Sequence, residues 1–237
     1  PIPHYDADNK EAYGKHPDGS YAAYYDKYSR MGDIGDEDMR KYYLANLNCL
    51  DDNIGRLLDA LNKQGLDKET IIIFISDNGG EPLTGANNAP LTAGKYSLWE
   101  GGIRVPMAMV WPGKIKAGGV ETKNVSANDI LPTAVEAAGI QLKDALLDGI
   151  SLLVWKWQKT WAVRLGDWKL TNTNEDHWKS RPSAQYIKPI LDDFSLKLFD
   201  LAKDPGERIN LAAIHPEKVK ELQSAFDNWC KTNIGKY

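Results

Sequence analysis

Apolar residues recur at spacings of three and four from Met39 to Leu61, through Tyr43, Leu47, Leu50, Ile54, Leu57 and Leu58. That period predicts an amphipathic helix over residues 36–64 with one buried stripe. Asp36 or Asp38 is placed to cap it, and Gly65 to end it. Residues 1–36 are polar and weakly periodic, and read as loop with short helical pieces. After a short connection the pattern changes. Ile71-Ile72-Ile73-Phe74-Ile75 is an unbroken β-branched and aromatic run, the signature of a central, parallel-type strand buried on both faces. It ends in Ser76-Asp77-Asn78-Gly79-Gly80. Residues 81–102 form a long loop rich in Gly, Asn and Pro, of the kind that is functional or mobile in compact domains. Residues 105–111 predict a second strand, Pro112-Gly113 a turn, and residues 127–138 a short helix ended by Gly139.

The texture shifts near residue 150. Tryptophans crowd in at 155, 157, 161 and 168, and strand-like pieces follow at 161–165, 168–171 and 196–200. Asp204-Pro205-Gly206 is a turn. His215-Pro216 opens a last amphipathic helix carrying Val219, Leu222, Phe226 and Trp229. These pieces predict a small antiparallel sheet closed by one helix. The division falls at 1–150 and 151–237, with no internal repeat.

Composition narrows the field without choosing a function. The 237 residues are 42% hydrophobic and 26% charged, and the net charge is −4, as in an ordinary globular protein. No basic stripe invites nucleic acid. The apolar run at residues 71–75 is far too short to span a bilayer. The chain opens Pro1-Ile2-Pro3-His4, which reads as a fragment or processed product. Cys49 and Cys230 lack metal-ligand spacing and read as buried or incidental thiols. Asn124-Val125-Ser126 fits a glycosylation acceptor, a pattern common by chance.

Two places carry candidate chemistry. Asp77 and Asn78 put a carboxylate and an amide oxygen at the carboxyl end of a strand, where ligand sites of open α/β sheets gather. Hard oxygen donors suit calcium or magnesium. The same four residues, Asp77-Asn78-Gly79-Gly80, also make an ordinary turn. Lys95, in a glycine-flanked loop, could hold an oxyanion as a compact charge, or simply be a solvated surface lysine.

Taken together and in order, the motifs closely resemble the sulfatase family. Asp51-Asp52-Asn53-Ile54-Gly55-Arg56-Leu57-Leu58 is similar to the helix before that family's metal strand, and Ser76-Asp77-Asn78-Gly79-Gly80 to its metal-ligand motif. Asn88-Ala89-Pro90-Leu91, Gly94-Lys95 and Trp99-Glu100-Gly101-Gly102-Ile103-Arg104-Val105-Pro106 resemble its substrate loop. Ala162-Val163-Arg164-Leu165-Gly166-Asp167-Trp168-Lys169-Leu170, Leu198-Phe199-Asp200-Leu201 and Asp204-Pro205-Gly206-Glu207 resemble its tail.

The resemblance implies an α/β, alkaline-phosphatase-like sandwich with a mixed, mostly parallel central sheet. A small C-terminal antiparallel sheet packed with one helix would complete it. Residues 1–150 would then be the C-terminal part of the catalytic domain. The implied activity is hydrolysis of sulfate esters of carbohydrates or aryl compounds with one calcium ion. Asp77 and Asn78 would be metal ligands and Lys95 a sulfate contact. His4, after Pro3, would contact sulfate or protonate the leaving oxygen, with His16 as runner-up. The partner would be a sulfated small molecule or glycan, and the compartment periplasmic, lysosomal or secreted.

The chain also departs from the family. The formylglycine motif, C-x-P-S-R or S-x-P-S-R, occurs nowhere in it, nor do the N-terminal paired aspartates of the calcium shell. Asp6 stands where a second proline is usual. Leu153 runs straight into Val154, where relatives carry a longer stretch. The chain alone is therefore expected to be inactive, as part of a larger parent. A phosphodiesterase or phosphonate hydrolase of the same superfamily, or an inactive binding module, is the alternative. Trp155, Trp157, His177 and Trp178 could stack on sugars or simply fill the small sheet. Glu100 and Arg104 read as structural members of the loop.

Overall fold

The structure, a computed structural model, describes residues 36–140, 152–157, 159–173 and 194–233. Helix α1 (Asp36–Lys63) leads into strand β1 (Ile72–Ile75). Gly65 follows the helix at φ 69°, a left-handed stop that glycine adopts without steric cost. After β1 the chain loops to a one-turn helix α2 (Glu100–Ile103) and strand β2 (Met107–Val110), then to α3 (Ile130–Ala137). Ser126 and Asp129 form a capping box ahead of α3, which satisfies backbone donors that the helix start leaves open.

The C-terminal part is a four-stranded antiparallel meander, β3 (Leu152–Trp157), β4 (Thr160–Leu165), β5 (Trp168–Thr171) and β6 (Lys197–Asp200), in spatial order β3-β4-β5-β6. Helix α4 (Pro216–Asn233) lies across it. Alternation along the strands gives the sheet two different faces. On one, Val163, Leu170 and Leu198 meet Leu222 and Phe226 of α4, and the Trp161 and Phe226 rings stack 4.1 Å apart. On the other, Phe199 packs with Leu201, Ala93 and Trp99. The second face therefore holds the long loop between β1 and β2 against the C-terminal sheet.

Three expectations are corrected. The stripe of α1 is not buried throughout: Met39 is covered, but Leu47, Leu50, Leu57 and Leu58 are each more than 40% exposed. Strand β1 is not buried on both faces, since Phe74 is exposed. Its one partner among the described residues is β2, and that pairing is antiparallel. The physical reason is shared: the described residues supply no second layer over these apolar positions. Residues 81–102 are not all loop, because Glu100 starts α2 and a short 3-10 turn spans Pro82–Thr84. In the C-terminal sheet, Leu153 and Val154 lie in β3, paired with Arg164 and Val163. The tryptophan-rich stretch is a strand of a hairpin, hidden from a periodicity reading because both its faces carry large apolar groups.

Cys49 is buried and Cys230 half-buried, and both are free thiols. No described helix is long and apolar enough to cross a membrane.

Candidate active site

The site grows from the carboxyl end of β1. Ser76 Oγ donates to the Asn78 carbonyl at 2.8 Å, and the Asn78 N–H donates to Asp77 Oδ1 at 2.9 Å. Asn78 Nδ2 donates to the Gly79 carbonyl, which fixes the amide plane. Gly79 and Gly80 then let other backbone come close. The Gly79 N–H donates to Gly102 O at 2.9 Å, and a Cβ on Gly79 would overlap the Gly101 carbonyl. Asn88 is the strut of the turn. Its Oδ1 accepts from the Gly80 N–H at 2.9 Å, and its Nδ2 donates to Gly80 O at 2.8 Å and Ala93 O at 3.0 Å.

Lys95 is brought to the same place. Its N–H donates to Gly80 O at 3.1 Å. Its Nζ lies 5.2 Å from the centre of the Tyr96 ring. Ala93 and Tyr96, which flank it, are both left-handed, at φ 61° and 69°. Non-glycine residues in that region carry strain of about 1–3 kcal/mol each, held here by dense packing around Gly94, Gly101 and Gly102. A Cβ on any of the three would strike a backbone carbonyl. Burial pushes the Glu81 carboxyl up from its ordinary value, and the Lys95 charge opposes that.

Asp77, Asn78 and Lys95 thus share one loop cluster. His4, His16, His177 and Trp178 lie outside the described residues. As a test of fit for calcium, the donor chemistry agrees: Asp77 is an exposed carboxylate and Asn78 a neutral amide beside it. The number of donors does not suffice. Calcium takes 6–8 oxygens, and the described residues contain no group of three or more His, Cys, Asp or Glu able to hold a metal. Asp77 and Asn78 can supply part of a shell.

Behind α2 sits an ionic cluster on the second sheet face. Lys169 of β5 is fully buried. Its Nζ lies 3.0 Å from Glu100 Oε1 and 2.8 Å from Glu207 Oε1. Glu207 Oε2 accepts from the Glu100 N–H at 2.6 Å, and Arg164 Nη1 stands 3.6 Å from Glu100 Oε2. One residue earlier, Gly206 accepts a hydrogen bond from Thr92 Oγ1. Burial lowers Lys169's proton affinity, but the two carboxylates more than offset it, so its pKa is raised. Glu207 is pushed up from 4.5 to about 7, chiefly by burial, with the Glu100 charge adding and Lys169 opposing.

A carboxyl whose folded pKa is raised binds more protons folded than unfolded between the two values. Its stabilising contribution is full below pH 4.5 and is lost as pH rises through about 7. Unfolding free energy measured from pH 4.5 to 8 should therefore carry a falling component. Glu207→Gln should flatten that component, and an unchanged slope in the variant would refute the assignment.

The motifs in the sequence pointed to Asp77, Asn78 and Lys95, but not to Asn88, Lys169 or Glu207 as members of the assembly. Asn88, Lys169 and Glu207 were visible as parts of motifs without roles. Lys169 reads in sequence as an ordinary strand lysine.

A strand-end turn with hard oxygen donors is thus tied by hydrogen bonds to a glycine-packed lysine loop. The family profile described as Sulfatase matches residues 12–140, and that described as N-sulphoglucosamine sulphohydrolase, C-terminal, matches residues 94–232. The chain belongs to the sulfatase family. It is 31% identical to the uncharacterized sulfatase YdeN of Escherichia coli over 84% of this chain and 42% of that protein. It is 30% identical to human arylsulfatase A over 86% of this chain and 46% of that protein. Among solved structures, Ps i-CgsB in complex with k-i-k-neocarrahexaose superposes with a TM-score of 0.67 at 28% identity, covering 83% of this chain and 46% of that one. The chain thus spans less than half the length of the relatives it matches.

Proposed function

We propose that these residues are the calcium- and sulfate-contacting part of a sulfuric ester hydrolase acting on sulfated carbohydrates or aryl sulfates. The observation that carries the reading is the hydrogen-bonded union of the Asp77-Asn78 turn with the Lys95 loop through Gly80. Asp77 and Asn78 would hold calcium, with the rest of its shell supplied by residues outside those described. A bound divalent cation would draw negative charge off the sulfuryl oxygens. Lys95 would place a fixed positive charge against the same oxygens, and a charge placed before reaction pays no reorganisation then. Imidazole has the intrinsic pKa for acid work near neutrality, so His4 would protonate the leaving oxygen, with His16 the second choice. The nucleophile would come from a formylglycine motif that these 237 residues do not contain.

The whole protein would keep the mixed, mostly parallel central sheet of the alkaline-phosphatase-like fold, with β1 inside it. That layer would cover Phe74 and the open stripe of α1. Residues 1–150 would belong to the catalytic domain and 151–237 to the small one. Export to periplasm, lysosome or medium follows from the family resemblance alone. The arylsulfatase and neocarrahexaose relatives support aryl and carbohydrate substrates alike.

The test is turnover of 4-nitrocatechol sulfate and of sulfated oligosaccharides by the full-length protein, with metal content measured on the same sample. Turnover with about one calcium per chain is the expected result. Two zinc or manganese ions and cleavage of phosphate diesters would instead establish the phosphodiesterase alternative.

A further inference from the structure

We infer that Glu207, on the turn after β6, is a positioning residue for the Asp77–Gly80 turn and the Lys95 loop. The inference rests on the reading above for what that turn binds, but its geometry does not.

Glu207 reaches the site by a short route that is buried from Glu207 through Glu100, Gly101 and Gly102 to Gly79. Its Oε2 accepts the Glu100 N–H at 2.6 Å, at the first residue of α2. An α-helix start has N–H groups without intrahelical acceptors. Here one of them is taken by a side chain from a distant part of the chain, and Trp99, which precedes the helix, offers no side-chain cap. Glu207 thus does the work of a cap from outside. Lys169 bridges Glu207 and the Glu100 side chain, so α2 is held at both backbone and side chain.

The next two residues of α2 carry the load onward. The Gly101 N–H donates to Thr92 O at 2.8 Å, and Gly102 O accepts the Gly79 N–H. Gly80 O in turn accepts the Lys95 N–H. Beyond Glu100 every link in this path is backbone to backbone, and there is no space to spare around it, since a Cβ on Gly79, Gly94, Gly101 or Gly102 would strike a backbone carbonyl. A shift of α2 must therefore move the turn. Glu207 itself is left-handed, at φ 53°, a conformation that costs energy in a non-glycine residue. The Thr92 hydroxyl on Gly206 O holds the neighbouring residue in register.

The experiment compares the full-length protein with Glu207→Ala and Glu207→Gln. The glutamine keeps an acceptor for the Glu100 N–H and removes the charge. Phe226→Leu, on the opposite face of the same sheet, supplies plain destabilisation as a control. Two readouts are taken on folded protein: amide hydrogen exchange at Gly79 and Lys95, and calcium affinity by titration. For Glu207→Ala, exchange at both amides should rise by about tenfold or more relative to β3–β4 amides, and calcium affinity should fall about tenfold. Glu207→Gln should show a smaller change in both. Exchange at Gly79 and Lys95 no faster than in Phe226→Leu would overturn the inference. If Glu207→Ala does not fold, the glutamine variant carries the same decision. If the unmodified protein binds no calcium, the proposed function fails, and the exchange readout alone still decides the role of Glu207.

Discussion

Lys169→Ala is expected to destabilise the protein by about 3–5 kcal/mol, the cost of leaving buried carboxylates without their cation. Lys169 is fully buried between Glu100 and Glu207, whose side chains are at most 1% exposed. Its loss would leave two acids facing each other, with Arg164, 3.6 Å from Glu100 Oε2, as the remaining cation paired with them among the described residues. Domains of ordinary stability have 5–15 kcal/mol in total, so the variant should unfold at markedly lower urea concentration. The deficit should be larger at pH 8 than at pH 5. With the cation gone, Glu207 loses the charge that opposes its raised pKa, and its protonation at low pH relieves the repulsion. A loss below about 1 kcal/mol, in the range of exposed ion pairs, would mean that water reaches the cluster. Replacing the whole cluster with apolar residues is a different experiment, since such swaps are often neutral.

Asp77→Ala and Lys95→Ala in the full-length protein are expected to lower turnover of a sulfate ester by about 10²–10³-fold each, the scale of removing one preplaced charge-stabilising group. The two should separate in metal content. Asp77 is the carboxylate at the end of β1, so its loss should strip calcium as well as activity. Lys95 touches the turn through its backbone N–H on Gly80 O, a contact that survives truncation of the side chain. Lys95→Ala should therefore keep its calcium and lose turnover. Equal calcium loss in both variants would mean that Lys95 acts by holding the turn. Unchanged turnover in either would remove that residue from the site.

Most elements were legible because their signals are local. The stop at Gly65, the run at residues 71–75, and the spacing of Val219, Leu222 and Phe226 each specify an element through neighbours in sequence. Strand β3 was not legible. Leu152, Leu153, Val154 and Trp155 alternate no polar residue with the apolar ones, so period two has nothing to register against. The stripe of α1 was legible as a stripe, but its burial was not, since burial depends on what lies opposite.

The order of motifs along the chain determined by itself that this is a sulfatase-family chain and that Asp77, Asn78 and Lys95 are its candidate chemistry. The motifs that carry those residues are contiguous stretches of chain, and sequence records such neighbours. Only the tertiary structure decided that the Lys95 loop is tied to Gly80, that Asn88 braces both, and that Lys169 lies buried between Glu100 and Glu207. The reason is physical. A lysine in a strand has the same sequence whether it faces water or two buried carboxylates, and only the packing of α2 onto the second face of the C-terminal sheet distinguishes them.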